Sequence, residues 1–267
     1  MTLYIVGTPI GNLEDITLRA LRVLRDVSLI AAENTRKAGV LLRHYQITTP
    51  VTSYYEGNER RRISEILEVL ERGDVALISE AGMPGISDPG YPLIEAAIRH
   101  GVPVVPVPGA SAHTAALVVS GLPTDQFLFI GFLPRKHPAD ALRAVATNRA
   151  TLIFYEAPHR LAQTLSLMHE ILGDRPLALC REMTKLYEDV WRGNLEGALQ
   201  WVSDHPPRGE YTLVVAGAIE QEVVWDEERV RVALAERMAQ GLSRSQAARE
   251  VAAIAGWERR RVYDLDA

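Results

Sequence analysis

The chain has a single cysteine, Cys180, so no internal disulfide can form and a reduced, cytoplasmic setting is expected. No apolar run approaches the ~18–20 residues that cross a bilayer, which argues against a membrane-spanning helix. The opening residues, MTLYIVGTPIGN, carry no basic stretch and soon reach proline and glycine; they read as a first strand rather than a signal peptide. Basic residues are not in excess. The 29 Lys and Arg stand against 34 Asp and Glu, a formal net charge of −5, so bulk charge gives no general grip on a polyanion. The seven histidines are scattered and no Cys or His pair has ligand spacing, which rejects a structural zinc site. A Walker A lysine loop and a Gly-x-Ser-x-Gly elbow are missing too. Cys180, inside the apolar LALCRE, reads as a small core residue rather than a nucleophile.

What remains is an ordinary globular composition, 47% hydrophobic and 24% charged, in 267 residues, enough for one large or two medium domains. Up to about Leu122 strands and helices alternate. LYIV, SLIAAE, DVALIS and VPVVPVP read as buried strands. Between them TLRALRVLRDV, with Leu18, Leu21 and Leu24 in step, RKAGVLLRHY and RRRISEILEVLERG read as helices, the last stopped at Gly73. GASAHTAALVVSG reads as a helix of small residues. Such alternation predicts a parallel α/β sheet over 1–122. After the turn-rich GLPTDQ, residues 123–218 hold five strand-like runs and one convincing helix, HRLAQTLSLMHEIL, which predicts a mixed sheet. Residues 219–267 turn charged, Ala-rich and helical, with a capping-box signature at Ser243 and Gln246 and a glycine turn at Gly256.

One loop is over-specified for a connector. SEAGMPGISDPGYP, Ser79 to Pro92, follows the run Val75–Ile78 with three glycines, three prolines, Glu80 and Asp88, and no Lys or Arg. Glycine-rich turns after strands suit anions when cations accompany them. Two carboxylates would repel a polyphosphate, so the ligand expected here is neutral, zwitterionic or cationic. In parallel sheets ligands bind beyond the carboxyl ends of the strands, where this loop falls. VGTPIGN matches a dinucleotide turn only loosely, with Gly7 and Gly11 but Pro9 at the second glycine and Glu33 as the ribose acid.

Three further polar clusters end strands: Glu33, Asn34, Thr35 and Arg36 in AENTRKAGVLL; Tyr155, Glu156, His159 and Arg160 in FYEAPHRL; Arg181, Glu182, Thr184, Lys185 and Glu188 in CREMTKLYE. At the far end Arg259, Arg260 and Arg261 lie beside Trp257 and Tyr263, which suits either nucleic-acid contact or a plain helical cap.

Taken in order, LYIVGTPIGNLEDITLRAL, AENTRKAGVLL, SEAGMPGISDPGYPLI, VPVPGASAHTAAL, FYEAPHRL, CREMTKLYEDVWRGNL and GEYTLVV resemble the tetrapyrrole methylase superfamily of S-adenosylmethionine-dependent methyltransferases. They are most similar to its branch that 2′-O-methylates a cytidine of small-subunit ribosomal RNA. The resemblance spans roughly residues 3–217. It implies two α/β domains with S-adenosyl-L-methionine in the cleft between them, and a homodimer. It implies cofactor contacts from Pro9, Glu80, Ala81, Gly82, Pro84, Ile86, Ser111, Ala112, Tyr155, Glu182, Met183 and Leu213. Asn34 stands where the family pattern usually has Asp, which removes a charge there.

Methyl transfer from a sulfonium is an in-line displacement helped by alignment, and a ribose 2′-hydroxyl gains from a proton acceptor. Glu33, Glu156 and Glu182 are the candidate acceptors, and Arg36, Arg160 and Lys185 the candidate binders of phosphate or ribose. His159 is either a base or a helix cap. Arg60, Arg61 and Arg62, Arg135 and Lys136, and Arg259 to Arg261 are the local basic clusters for 16S ribosomal RNA in an assembled small subunit, with no metal and no membrane involved. The rival readings are a relative acting on a corrin ring or a protein side chain, and a non-catalytic RNA-binding protein.

Overall fold

The computed structural model describes residues 1–219 and 225–265. The alternating pattern of the first half folds as β1 (Leu3–Val6), α1 (Leu18–Asp26), β2 (Leu29–Ala32), α2 (Thr35–His44), β3 (Val51–Ser53), α3 (Glu59–Leu70), β4 (Val75–Ile78), α4 (Tyr91–Arg99), β5 (Val104–Val107) and α5 (Ala112–Ser120). The five strands pair in the order β3-β2-β4-β1-β5, all parallel. Every residue of β4 is buried, because helices cover both faces of a parallel sheet. α1 and α2 close one face over Val6, Ile30 and Ile78, while α3 and α4 close the other over Leu3, Ile5 and Leu77.

Three local expectations change. Leu18 does not join Leu21 and Leu24 in the core: it is the first helical residue after the Thr17 cap and is 86% exposed, and Ala20 and Val23 fill the buried face instead. VPVVPVP is an edge strand rather than a buried one, since Pro106 has no N–H to give a second neighbour. Gly73 does not cap α3, which ends at Leu70; a Cβ there would collide with the Ser28 side chain.

The second block forms β6 (Phe127–Phe132), α6 (Pro138–Val145), β7 (Thr151–Glu156), α7 (Leu161–Leu172), β8 (Pro176–Arg181), β9 (Asp189–Asn194), α8 (Leu195–Asp204) and β10 (Tyr211–Val215). Its order is β6-β7-β10-β8-β9, parallel at β6–β7 and antiparallel elsewhere, so the sheet is mixed as expected. Three helices, not one, belong to this sheet; α6 and α8, of eight and ten residues, are too short to show a long apolar stripe in sequence. Leu165, Leu172, Ala198 and Val202 of α7 and α8 pack over Phe154, Leu179 and Leu213 on one face. The other face is covered from the first block: Ala116 and Leu117 of α5 rest on Ile153, Ala178, Cys180 and Val214. The small residues of α5 allow that close approach. Cys180 is fully buried there, and burial pushes its thiol up to about 12, so it stays protonated.

The chain divides into two compact units, Met1–Ala218 with both sheets, and Ile219–Ala267. The second holds α9 (Glu227–Ala239), α10 (Arg244–Ala255) and α11 (Arg259–Tyr263) around Val230, Leu234, Val251 and Val262. Ser243 and Gln246 form the expected capping box, and Gly256 ends α10 in a left-handed conformation. Among the described residues no helix is long and apolar enough to cross a membrane, and no cluster of three His, Cys, Asp or Glu is arranged for a metal.

Candidate functional site

The loops leaving β1, β4 and β5 are locked together before any side chain contributes. Thr8 and Gly82 exchange backbone hydrogen bonds of 2.9 and 3.0 Å, tying the first loop to the glycine-rich one. Gly7 lies against Gly109: a Cβ on Gly7 would stand 2.8 Å from the Gly109 backbone and 2.7 Å from Met83 Sδ. Gly7→Ala is therefore expected to cost roughly 1–3 kcal/mol, the usual range for overpacking, and to weaken ligand binding at these loops. A thermal melt beside a binding titration reads both.

Between these loops and the second sheet opens a cavity of about 410 Å³, within the roughly 300–1,000 Å³ typical of small-molecule sites. One wall is Ala81, Gly82, Met83 and the Ile86–Asp88 segment with Ser111–His113 at the start of α5; the other is Phe132, Tyr155, Glu182, Met183, Lys185 and Thr212. The two walls touch through Tyr155, whose hydroxyl meets the His113 N–H at 3.3 Å and its ring Nδ1 at 3.2 Å. Backbone strain concentrates here. Ser87 and Glu182, which line the cavity, and Thr184 beside them hold φ of +60°, +49° and +67°. Non-glycine residues hold such angles only where their surroundings over-determine them. Gly131 shows one such constraint, since a Cβ there would meet Ser87 Oγ at 2.7 Å.

Charge inside the cavity is predominantly negative. Asp88 has its carboxyl pushed up from 3.8 to about 7, by burial first and then by the neighbouring charge of Glu33, with Glu80 adding to it against a hydrogen bond from Ser79. Among the described residues no cation pairs with it. Lys185 Nζ sits 2.9 Å from both Glu182 and Glu210 carboxylates. Burial alone would raise the Glu182 carboxyl, but the Glu210 N–H and Lys185 outweigh it and hold it low; the same carboxylates raise Lys185 against its own burial. Burial lowers His113 and raises Tyr155, so both are held neutral.

The structure gathers many residues the sequence singled out, and disperses others. Ala81, Gly82, Ile86, Ser111, Ala112, Tyr155, Glu182, Met183 and Lys185 line the cavity. Pro84 is buried between lining residues and holds the loop. Pro9 and Glu80 line a separate hollow of about 80 Å³, where Glu80 pairs with Lys37 and accepts from Asn34. Leu213 packs on the opposite face of the second sheet and is absent from the cavity lining, to which its strand gives Tyr211 and Thr212. Glu156 borders the cavity, but its carboxylate is 1% exposed and taken up by the Thr164 hydroxyl at 2.6 Å and the Ala157 N–H at 2.9 Å. Arg160 braces the same turn, 3.6 Å from Glu156 and donating to the Leu133 carbonyl. His159 is exposed and outside the cavity. Glu33 accepts the Glu80 N–H at 2.9 Å, and Arg36 is exposed on the first turn of α2.

Of the basic clusters, Arg60 is exposed while Arg61 and Arg62 pair with Glu65 of their own helix. Arg135 and Lys136 are exposed on the loop that follows Phe132. In the C-terminal unit Arg259 donates to Ser245, Arg261 stacks 3.8 Å over Trp257, and Arg260 is exposed. Sequence reading missed Asp88 as a site residue, together with His113, Phe132 and Thr212. Asp88 was visible as a carboxylate in the loop, but its burial was not.

Residues 2–199 match the family of Tetrapyrrole (Corrin/Porphyrin) Methylases. The chain is 46% identical to a "Ribosomal RNA small subunit methyltransferase I" of Halalkalibacterium halodurans, over 99% of this chain and 94% of that protein. It is 47% identical to the protein of the same description in Synechocystis sp., over 98% and 96%. Among solved structures, uroporphyrin-III-C-methyltransferase from Thermus thermophilus matches at TM-score 0.58 and 25% identity, over 80% of this chain and 93% of that one.

Proposed function

The chain belongs to the tetrapyrrole methylase family, and on that premise we propose that it methylates the 2′-oxygen of a cytidine in the decoding region of 16S ribosomal RNA, with S-adenosyl-L-methionine as methyl donor. Near-full-length identity to two proteins described as small-subunit ribosomal RNA methyltransferases supports the substrate. The cavity supports the donor, and it is the observation that carries the reading. It holds an unpaired, half-buried carboxylate and no phosphate-binding cation free of carboxylates, which suits a ligand bearing ammonium and sulfonium groups.

The residues present fit such a donor. Asp88 would meet its cationic end, the small side chains of Ala81 and Ala112 leave room, and Tyr155 and Met183 supply apolar contact. When bound, the donor supplies an electrophilic methyl group for in-line displacement. The protein's part is largely alignment, through walls fixed by Tyr155, His113 and the Thr8–Gly82 bridge. A 2′-hydroxyl also needs an acceptor for its proton. Glu156 is engaged by the Ala157 N–H and by Thr164 of α7, and the depressed Glu182 is a weak base that anchors Lys185 beside the cavity. Glu33, which accepts one backbone N–H, is the candidate left at the edge of the site. The enzyme acts as a cytoplasmic homodimer in this reading.

The test is methyl transfer from radiolabelled donor to small ribosomal subunits lacking the modification, followed by nuclease digestion and nucleoside separation. Label in 2′-O-methylcytidine is expected. Label confined to a base would correct the position, and donor binding without any label in RNA would overturn the substrate.

A further inference from the structure

The acidic total conceals a lopsided first domain. α1 and α2 share one layer, joined through Leu21, Leu24, Ala38 and Leu42 and by the Arg25 hydrogen bond to the Tyr45 carbonyl. Together they carry Arg19, Arg22, Arg25, Arg36, Lys37 and Arg43, and the single carboxylate Asp26. All six cations are exposed. The opposite layer, α3 and α4, carries four arginines and four glutamates, and pairs Arg61 and Arg62 with Glu65 and Arg99 with Glu95. On α1 and α2 only Lys37 has a carboxylate partner, Glu80; among the described residues Arg19, Arg22, Arg36 and Arg43 have none. Five like charges gathered on one layer of a chain of net −5 repel one another, and among the described residues no carboxylate pairs with any of them.

Position adds to charge. Both helices start at the carboxyl ends of strands, on the side of the sheet where the cavity opens. Asn34, the N-cap of α2, and Lys37 in its first turn bind Glu80, the residue before cavity-lining Ala81. From that edge the basic surface runs roughly 14–15 Å along helices of nine and ten residues. The exposed cations are mostly guanidinium groups, which bind phosphate bidentately.

We infer that the outer face of α1 and α2, through Arg19, Arg22 and Arg43, is the surface on which the phosphate backbone of the RNA substrate lies as it enters the site. The inference rests on the RNA reading above. It moves the main electrostatic contact from Arg60 and Arg61, which share their helix with glutamates, to helices with almost no counter-charge.

The experiment compares wild type, the triple variant Arg19→Gln/Arg22→Gln/Arg43→Gln and a control, Arg60→Gln/Arg61→Gln. Each is titrated with small ribosomal subunits across a salt series and assayed for methyl transfer. The triple variant is expected to bind roughly tenfold or more weakly, with its log–log salt slope reduced by about 2. Its donor affinity should match wild type, and the control should bind the subunit normally. Equal affinity and slope in triple variant and wild type would overturn the inference, as would an equal loss in the control. Loss of binding to anionic lipid vesicles but not to the subunit would also overturn it. Binding through this face without methyl transfer by wild type would uphold the surface and overturn the enzymatic reading.

Discussion

Replacing Asp88 by Asn is expected to weaken S-adenosylmethionine binding by about 10- to 100-fold, with no loss of melting temperature. The carboxylate is half-buried in the cavity and faces Glu33, Glu80, the Ser79 hydroxyl and Tyr155, and among the described residues no cation pairs with it. A hydrogen bond to a charged partner contributes roughly 1.5–3 kcal/mol, and each 1.4 kcal/mol is about tenfold in affinity. The fold itself gains nothing from the negative charge. Its pKa is raised, so the folded protein holds this proton more tightly than the unfolded chain. That contribution is complete below the ordinary carboxyl value of 3.8 and is lost as pH rises through about 7. For a cationic ligand the sign is opposite. The ligand pairs with the ionised form, so wild-type affinity should fall as pH drops below about 7. Binding at pH 6 should release a proton, read as a dependence of the calorimetric heat on the buffer's ionisation enthalpy. The Asp88→Asn variant should show neither effect. A wild-type affinity flat between pH 6 and 8 would separate this carboxylate from the cation.

Glu156→Ala should act on stability rather than on chemistry. The carboxylate is 1% exposed, accepts from the Thr164 hydroxyl and the Ala157 N–H, and stands 3.6 Å from the Arg160 guanidinium. Its removal takes the carboxylate from a partly buried Arg160, which keeps only the Leu133 carbonyl among the described residues, and leaves the Ala157 N–H and the Thr164 hydroxyl without their acceptor. Breaking a buried pair in this way costs roughly 3–5 kcal/mol, which in a protein of this size is a fall in melting temperature of roughly 6–20 °C. Glu156→Gln keeps an acceptor for Thr164 or Ala157 and should lose less. Donor affinity measured well below the melting temperature should change little in either variant. A fully stable Glu156→Ala protein that had lost methyl transfer would return this residue to the chemistry.

Glu156 and Glu182 illustrate what a sequence can and cannot say. Each is a glutamate ending an apolar strand and followed by a cation a few residues on, at Arg160 and Lys185. In space Glu156 turns inward to accept from the Thr164 hydroxyl of α7, while Glu182 sits at φ +49° on the cavity wall. The difference lies in which way a strained backbone aims the side chain, and composition carries no trace of it. Arg60 and Arg61 are a similar case. A run of arginines is conspicuous in sequence, but one turn of helix brings Glu65 back to them, whereas Arg19, Arg22 and Arg43 are scattered and meet on one layer only when α1 packs beside α2.

By itself the sequence determined the elements whose periodicity is forced by burial. β1, β2, β4, β7, β8 and β10 are apolar runs because both of their faces are covered, α7 shows its apolar stripe directly and α10 its capping box. It also supports the expectation that the loop after β4 holds a ligand other than a polyphosphate, since charge and glycine content are local properties. Only the tertiary structure decided that β5 is an edge, that α5 covers the second sheet, and that Asp88 is half-buried beside two other carboxylates. Burial, pairing and pKa depend on atoms brought in from distant parts of the chain, and packing alone sets those neighbours.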